Sequence, residues 1–422
     1  MNSAGKSILT LNGGSSSIKF AMFAAQASLR PVLSGRIERI GTADAVFSVQ
    51  KADGGAALTR QIAAPAHATL DQAAAVAVLM DWLATRDNGG ALFAAGHRIV
   101  HGGPDYHEPQ ILTPALLAGL RSLTPLDPQH LPQEIALAEA LQRRFPRLPQ
   151  IVCFDTAFHH GLPTVARLLP IPRKYQAQGV RRYGFHGLSY EFLMSELVRT
   201  EGAEAARGRI ILAHLGNGAS LAAVRDGKPV DTSMGFTPAA GVPMSTRAGD
   251  LDPGLAGYLA RTEGMDARQF DQMVNFESGL LGISGTSGDM HDLLAREALD
   301  PCAAQAVAIF CYHITKCIGA FAAALGGLDL LVFTGGIGER ASVVRARICA
   351  GMAFFGIELD AARNAANADR ISADAAPIKV RVIPANEELV IARAVGRVLG
   401  LAPGQAGQTT PESGRSASAR RR

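Results

Sequence analysis

Two glycine-rich turns carry groups of the kind that bind phosphate. The first is Asn12-Gly-Gly-Ser-Ser-Ser17, followed by Lys19, and the second is His214-Leu-Gly-Asn-Gly-Ala-Ser220. Glycine lets the backbone approach a ligand closely, and its N–H groups together with hydroxyls bind phosphate oxygens. Either turn alone is equally typical of a solvated hairpin tip. The pair favours a site that holds a polyphosphate from two sides, although the chain has no G-x-x-x-x-G-K-[ST] motif.

Two arginines lie among glycines and small residues. Arg98 is in His97-Arg-Ile-Val-His-Gly-Gly103, and Arg247 is in Met244-Ser-Thr-Arg-Ala-Gly-Asp250. A lone arginine is usually a solvated surface residue. Two such arginines in a chain with phosphate-binding turns favour clamps on a transferring phosphoryl group, since a guanidinium offers both charge and paired hydrogen bonds.

Two carboxylates follow apolar strands. Asp155 comes after Ile151-Val-Cys-Phe154, and Glu387 follows the strand 380–383. Oxygen ligands at strand ends suit a magnesium-nucleotide site, and helix N-capping is a compatible alternative for Glu387. His186, in Tyr183-Gly-Phe-His-Gly187, lies in a glycine-flanked loop and would by itself be typical of a structural histidine.

A competing motif is Gly336-Ile-Gly-Glu-Arg-Ala341, which matches the dinucleotide fingerprint G-x-G-x-x-[GA] and is followed by Glu358. It predicts an NAD-dependent dehydrogenase. That interpretation leaves both glycine-rich turns and the arginine and histidine motifs without a role.

The elements that must position these residues alternate between strands and helices. Residues 7–24 and 209–230 both predict a hairpin with a Gly, Ser or Asn tip, which indicates a duplicated domain. Between the hairpins, Ala-rich periodic segments predict helices at 70–86, 113–122 and 132–145. Strands at 328–333 and 380–383 each lead into polar or Gly residues and then a helix, so the class is α/β with ligand groups at strand carboxyl ends.

Composition bounds the function. The chain has 422 residues, 48% hydrophobic and 18% charged, which predicts a globular protein of two domains. Most of its formal charge of +4 comes from residues 402–422, a Gly, Ser and Pro-rich segment that predicts a disordered basic tail. The nearly neutral remainder argues against a nucleic-acid partner.

The five cysteines are widely spaced without a zinc-like grouping, which favours reduced thiols in the cytoplasm. No signal peptide is evident, and the most apolar region, 317–328, is too short to cross a bilayer. The sequence therefore predicts a cytoplasmic protein with no membrane partner.

With these motifs in view, the chain resembles the acetate kinases over residues 7–398. The resemblance rests on Leu11-Asn-Gly-Gly-Ser-Ser-Ser-Ile-Lys19, His97-Arg-Ile-Val-His-Gly-Gly103, Phe154-Asp-Thr-Ala-Phe-His159, Arg182-Tyr-Gly-Phe-His-Gly187, His214-Leu-Gly-Asn-Gly-Ala-Ser220, Asp231-Thr-Ser-Met-Gly-Phe-Thr-Pro238, Phe333-Thr-Gly-Gly-Ile-Gly-Glu339 and Asn386-Glu-Glu388. It implies the sugar kinase and actin superfamily fold, with two ribonuclease-H-like domains around a central cleft, and a homodimer. The domains would span residues 1–155, completed by a final helix at 388–401, and residues 156–387.

The resemblance also implies a role for each matching residue. Asn12 and Glu387 would contribute to a Mg²⁺ site, which Mn²⁺ could also fill. Arg98 would bind both the carboxylate substrate and the phosphoryl group, Asp155 would be the active-site acid, and His186 and Arg247 would stabilise the transition state. His130 joins these as a catalytic candidate, and Val100, Phe185 and Pro238 would line the acyl pocket. ATP or ADP contacts would come from Lys19, His214, Leu215, Gly216, Asn217, Gly218, Asp289, Met290, His291, Gly336, Ile337, Gly338, Glu339 and Arg340.

Three segments depart from the family pattern. Asp127-Pro-Gln-His130 stands where Pro-Leu-His is common, so Gln129 replaces an apolar residue expected at the acyl pocket. Asp289-Met-His291 and Gly338-Glu-Arg340 stand where Asp-Phe-Arg and Gly-Glu-Asn are common. The predicted reaction is reversible transfer of phosphoryl from ATP to acetate, with propionate or butyrate kinase of the same family as the alternative and with nucleotide preference open.

Overall fold

The computed structural model describes residues 5–14, 17–26, 28–55, 57–62, 69–86 and 91–401. The predicted disordered tail, 402–422, lies outside these residues, as do Ser15 and Ser16 of the first glycine-rich turn.

The first half of the chain builds an eight-stranded sheet in the order β5-β4-β3-β2-β1-β6-β8-β7. Its strands are β1 (Ser7–Gly13), β2 (Ser17–Ala24), β3 (Pro31–Glu38), β4 (Val46–Lys51), β5 (Leu58–Gln61), β6 (Leu92–Ile99), β7 (Gln110–Ile111) and β8 (Gln150–Phe154). The second half builds a five-stranded sheet in the order β11-β10-β9-β12-β13. Its strands are β9 (Ile210–Leu215), β10 (Ala219–Arg225), β11 (Lys228–Thr232), β12 (Leu330–Thr334) and β13 (Lys379–Val382).

The two sheets repeat one topology. In the first, β3, β2 and β1 run antiparallel, and β6 and β8 continue parallel to β1. In the second, β11, β10 and β9 run antiparallel, and β12 and β13 continue parallel to β9. The repeat confirms the predicted duplication and the fold of two ribonuclease-H-like domains. It also contradicts the dehydrogenase interpretation, because the sheet that carries Gly336 is mixed, whereas a dinucleotide-binding sheet is mostly parallel with helices on both faces.

Helices cover the sheets and connect them. They are α1 (Gln72–Arg86), α2 (Pro114–Ser122), α3 (Leu131–Arg144), α4 (Thr164–Arg167), α5 (Arg173–Ala177), α6 (Gly187–Glu201), α7 (Gly254–Glu263), α8 (Ala267–Phe276), α9 (Gly279–Ser284), α10 (Met290–Arg296), α11 (Pro301–Leu325), α12 (Gly335–Arg340), α13 (Ser342–Ala350), α14 (Ala361–Ala365) and α15 (Glu387–Val398). Capping residues set the two ends of the longest helix, α11. The Asp300 side chain caps α11, Pro301 opens it, and Gly326 closes it in the left-handed conformation.

The last helix returns to the first sheet. α15 packs on β1 and β6, where a Cβ at Gly96 would lie only 2.4 Å from Ile391 and 2.7 Å from Val395. One apolar cluster includes Ile8 and Ile151 of the first sheet, Leu212 of the second, and residues of α6 and α15. These contacts fit a final helix that completes the first domain, and the boundaries near residues 155 and 388 stay a prediction.

The most apolar helix is longer than the sequence indicated. Among the described residues, α11 alone is long and apolar enough to cross a membrane by length and composition. Its Val307, Phe310, Ile314 and Ile318 are buried in the core of the second half. The prediction that the most apolar region spans only residues 317–328 and is too short to cross a bilayer was therefore wrong, because the helix starts at Pro301. Its contacts are those of a core helix.

Candidate active site

The first glycine-rich turn meets the start of α15. Asn12 lies opposite Lys19 in the β1–β2 hairpin, and its Nδ2 donates to Glu387 Oε2 at 2.9 Å. Asn386 caps α15 by accepting from the Leu389 N–H, so Glu387 lies in the first turn, where the helix dipole favours negative charge. Burial, followed by the neighbouring Asp155, raises the pKa of Glu387. The predicted metal residues are therefore in contact.

Arg98 is held between two carboxylates, Asp155 after strand β8 and Glu134 on helix α3. It lies near the end of β6, next to β8, which Asp155 follows. Its Nη2 donates to Asp155 Oδ2 at 2.9 Å, and its Nη1 donates to Glu134 Oε1 at 2.9 Å. Burial alone would lower the pKa of Arg98, but Asp155 and Glu134 raise it, so the guanidinium stays charged.

The His186 loop wraps around Asp155. The N–H groups of His186 and Leu188 donate to the Asp155 carboxylate at 3.0 and 3.4 Å, and that of Gly187 donates to its carbonyl at 2.8 Å. A Cβ at Gly187 would lie 2.3 Å from that carbonyl oxygen, so the close approach requires glycine. His186 itself is left-handed, with φ 59°. The glycine-flanked motif is thus a tight turn that aims a histidine beside an aspartate.

Two neutral histidine rings lie stacked in the cleft. The rings of His186 and His214 have centroids 4.2 Å apart. Burial lowers the pKa of His214 to about 4, and burial followed by His214, Arg98 and Arg247 lowers the pKa of His186 well below its ordinary value. His186 Nδ1 lies 2.9 Å from Ser220 Oγ, which lies 2.5 Å from the Tyr190 hydroxyl. With its pKa lowered in this way, the His186 ring is neutral at neutral pH and offers hydrogen bonds rather than charge.

The Arg247 side chain, from the second half of the chain, lies close to the His186 ring beside Gly218. A Cβ at Gly218 would lie 3.3 Å from His186 Nε2 and 3.5 Å from Arg247 Nη1, so glycine there leaves the two side chains room. The guanidinium donates to the Pro238 carbonyl at 3.3 Å, and burial lowers its pKa.

The nucleotide candidates form two neighbouring loops and a third segment. His214 lies opposite Thr334 on parallel β9 and β12, and a Cβ at Gly216 would lie 4.0 Å from the Gly336 nitrogen. Glu339 Oε1 accepts the N–H groups of Gly335 and Ala385 at 3.0 and 3.1 Å, so this carboxylate fixes the loop backbone. Residues 334–338, which the sequence predicts as the Gly-rich connection after strand 328–333, mostly lie in helix α12, which starts at Gly335.

The third nucleotide segment opens α10. Asp289 caps that helix by accepting from the His291 N–H at 2.8 Å, Met290 is buried in the core, and His291 is exposed. A Cβ at Gly288 would lie 2.8 Å from the Ser245 carbonyl, and Ser245 donates its N–H to the Asn217 carbonyl. The segment therefore lies beside the second glycine-rich turn, with only His291 and Asp289 exposed.

The acyl-pocket candidates differ in surroundings. Val100 and Phe185 are 2% and 1% exposed, whereas Pro238 is half-buried beside Arg247. Gln129 is half-buried, and its amide donates to Asp271 of α8 at 3.4 Å, so it has a partner in the other half of the chain.

His130 is tied to Asp127. Both its backbone N–H and its Nδ1 lie 3.0 Å from Asp127 Oδ1. Asp127 is 3% exposed, and its other oxygen has no hydrogen-bond partner among the described residues. The segment that departs from the family pattern thus pairs the candidate histidine with a buried carboxylate.

Sequence reasoning missed two buried charged residues near the site. Glu134, 2% exposed, holds Arg98, and Arg345, 0% exposed, donates to the Gly338 carbonyl at 2.8 Å and to the Asn364 side chain. Glu134 had a signal, because it interrupts an apolar stripe of α3 with Leu131, Ile135 and Ala138.

Arg345 is expected to stabilise the loop that carries Gly338. Arg345→Met should lower the free energy of unfolding by about 3 kcal/mol, since it leaves buried carbonyls of Gly338 and Asn364 without donors. Urea unfolding followed by circular dichroism measures this. The control is Arg347→Met, which removes a surface pair with Glu297 and should cost about 1 kcal/mol or less. Equal losses in both variants would contradict the assignment.

Comparison with known proteins gives one consistent result. The model of the acetokinase family matches residues 7–393. An acetate kinase of Rhodopseudomonas palustris is 45% identical over 396 residues, covering 93% of this chain and 98% of that protein. A propionate kinase of Citrobacter rodentium is 41% identical over 397 residues, covering 93% and 96%. The crystal structure of a propionate kinase from Francisella tularensis has a TM-score of 0.84 at 32% identity, covering 92% and 98%.

Proposed function

The chain belongs to the acetokinase family, and from that premise we propose that it transfers the γ-phosphoryl group of ATP reversibly to acetate, giving acetyl phosphate and ADP. The observation that carries the proposal is the convergence of Arg98, Asp155, His186 and Arg247 beside the contact of Asn12 with Glu387. Acetate is ionised at neutral pH, so its activation needs no strong base. Positioning and charge neutralisation are what this cleft offers.

Each residue has a proposed part in that transfer. The free N–H groups of Arg98 bind the acetate carboxylate, and Arg247 approaches the transferring phosphoryl group from the opposite half. The neutral His186 donates a hydrogen bond to it. Asp155 orients both Arg98 and the His186 loop, because one of its oxygens accepts from both. The glycine-rich turn at Gly216–Gly218 and the glycines at the start of α12 give room for the nucleotide, while Lys19 adds charge at the first turn.

Magnesium is the proposed metal, and Asn12 and Glu387 are its proposed protein ligands. The described residues hold no group of three or more His, Cys, Asp or Glu side chains arranged for a metal. Magnesium with a nucleotide needs only one or two protein oxygens, the rest coming from phosphates and water. The Asn12 amide and the Glu387 carboxylate each carry an oxygen of that kind, and the two side chains are adjacent because Asn12 Nδ2 donates to Glu387 Oε2. When bound, the ion would neutralise charge on the phosphates.

Acetate is preferred to propionate in this proposal, although relatives named for both acids are similar to the chain. Val100 and Phe185 are almost fully buried, which supports a small apolar pocket. The test is direct: protein, ATP, magnesium and acetate are mixed with hydroxylamine, and acetyl hydroxamate is expected. A folded protein that makes more hydroxamate from propionate or butyrate would overturn the acyl assignment.

Val100 is expected to limit the length of the acyl chain. Val100→Ala should shift the ratio of kcat/KM for acetate over propionate toward propionate by about tenfold or more, since one methylene in a closed pocket changes discrimination by roughly 1–3 kcal/mol. Steady-state kinetics with the two acids measure the ratio. Val380→Ala, a buried valine of β13, is the control and should leave the ratio unchanged. An unchanged ratio in Val100→Ala would remove Val100 from the pocket.

The remaining parts of the proposal concern assembly and location. We propose a homodimer, as the resemblance to the family implies. We propose a cytoplasmic location, which five free cysteines support. Analytical ultracentrifugation tests the first and cell fractionation the second.

A further inference from the structure

Glu134 brings a charge into the apolar face of α3. It lies between Leu131 and Ile135, and its side chain is 1% exposed. A buried carboxylate is costly unless its oxygens are paired, so its partners indicate its role. Both partners belong to the segment that carries Arg98.

The two oxygens of Glu134 have separate tasks. Oε1 accepts from Arg98 Nη1 at 2.9 Å, and Oε2 accepts from the Val100 backbone N–H at 2.7 Å. One carboxylate therefore holds both the guanidinium and the backbone two residues later. Because Val100 is in the proposed acyl pocket, the same contact fixes the spacing between pocket wall and arginine.

Arg98 is held on both sides as a result. Asp155 takes its Nη2 while Glu134 takes its Nη1, which prevents rotation of the guanidinium plane. One N–H on each terminal nitrogen remains beyond these two contacts. A side chain fixed in advance loses less entropy when it binds its ligand, and a fixed charge stabilises a transition state best.

We propose that Glu134 is a positioning residue that acts through Arg98, locking its guanidinium for the incoming carboxylate and phosphoryl group. The inference rests on the proposed function. The charged groups that face Glu134 are Arg98, Asp127 and Asp155, from three different segments of the chain. Burial raises the pKa of Glu134, whereas Arg98 and the Val100 N–H lower it. Since both oxygens accept from N–H donors, the ionised form is the one that these contacts favour.

The test is a double-mutant cycle. Glu134→Gln keeps the shape but offers one acceptor to two donors, so kcat for acetyl phosphate formation should fall at least about tenfold. The KM for ATP should stay within about twofold. In an Arg98→Ala background the same substitution should cost less than about twofold, because its effect passes through Arg98. The control is Glu139→Gln, which lies on α3 like Glu134 but pairs with the exposed Arg121 of α2, and it should match wild type.

Two outcomes would contradict the inference. A Glu134→Gln enzyme within threefold of wild type overturns it, and so does a full tenfold loss in the Arg98→Ala background. If Glu134→Gln does not fold, Glu134→Asp takes its place in the cycle, with the same requirement for non-additivity. Failure of the proposed function appears separately, as wild-type protein that yields no hydroxamate with any of the three acids.

Discussion

Replacing Arg247 with alanine is expected to lower kcat at least about a hundredfold. Its guanidinium is half-buried, and within the described part of the chain its hydrogen-bond acceptors are the Pro238 carbonyl and the Met244 sulfur, not a carboxylate. A charge held in this way is available to a transferring phosphoryl group, and removal of one such group costs several kcal/mol of transition-state stabilisation.

The measurement is kcat from steady-state kinetics with saturating ATP and acetate, together with a melting curve. Arg247→Lys should recover only a small part of the activity, because an ammonium does not reproduce the planar donors. Arg268→Ala, on exposed α8, is the control and should match wild type. Activity within threefold of wild type in a folded Arg247→Ala enzyme would exclude Arg247 from the reaction.

Most of the strands that carry the site were predictable, because polar or Gly residues follow them at the site. Both hairpins, the strand before Asp155 and the two strands near the end of the chain appear where the sequence predicts them. Strands β3 to β7 were not predicted, although β6 carries Arg98. β5 is exposed along its length, so no buried alternation marks it.

The sequence predicted which residues belong to the site better than it predicted which of them contact each other. Motifs identified Arg98 and Asp155, but no pattern indicated that Glu134, from a helix far along the chain, holds the same guanidinium. Long-range pairing of this kind depends on how α3 packs against β6, which local sequence does not encode. An acid in an apolar helical stripe was the one available signal, and it marks the residue without naming its partner.

The conformation of the His186 loop is a second example. Glycines at 184 and 187 indicated a loop, yet the left-handed backbone of His186 and its N–H bond to Asp155 arise from the tertiary structure. The residues alone were typical of a structural histidine, and only the resemblance to the family implied that His186 meets a ligand. Neither predicts that the same turn completes the hydrogen bonds of the aspartate.

Glu387 is expected to control the metal dependence of the enzyme. Glu387→Gln should lower kcat about a hundredfold and raise the half-saturating magnesium concentration at least tenfold, because a neutral amide replaces the carboxylate that Asn12 contacts. Initial rates over a range of magnesium concentrations at constant free ATP measure both. A folded variant with wild-type magnesium dependence would remove Glu387 from the metal site.

The neighbouring Glu388 separates metal binding from helix capping. Both acids lie in the first turn of α15, so a role that only complements the helix dipole predicts similar, small effects of Glu388→Gln and Glu387→Gln. A role as metal ligand predicts a large effect for Glu387→Gln alone.

The pH dependence of magnesium binding adds a further criterion. Burial and Asp155 raise the pKa of Glu387, so its carboxylate is protonated at a higher pH than usual. The half-saturating magnesium concentration of wild type should therefore rise as pH falls, and Glu387→Gln should flatten that dependence.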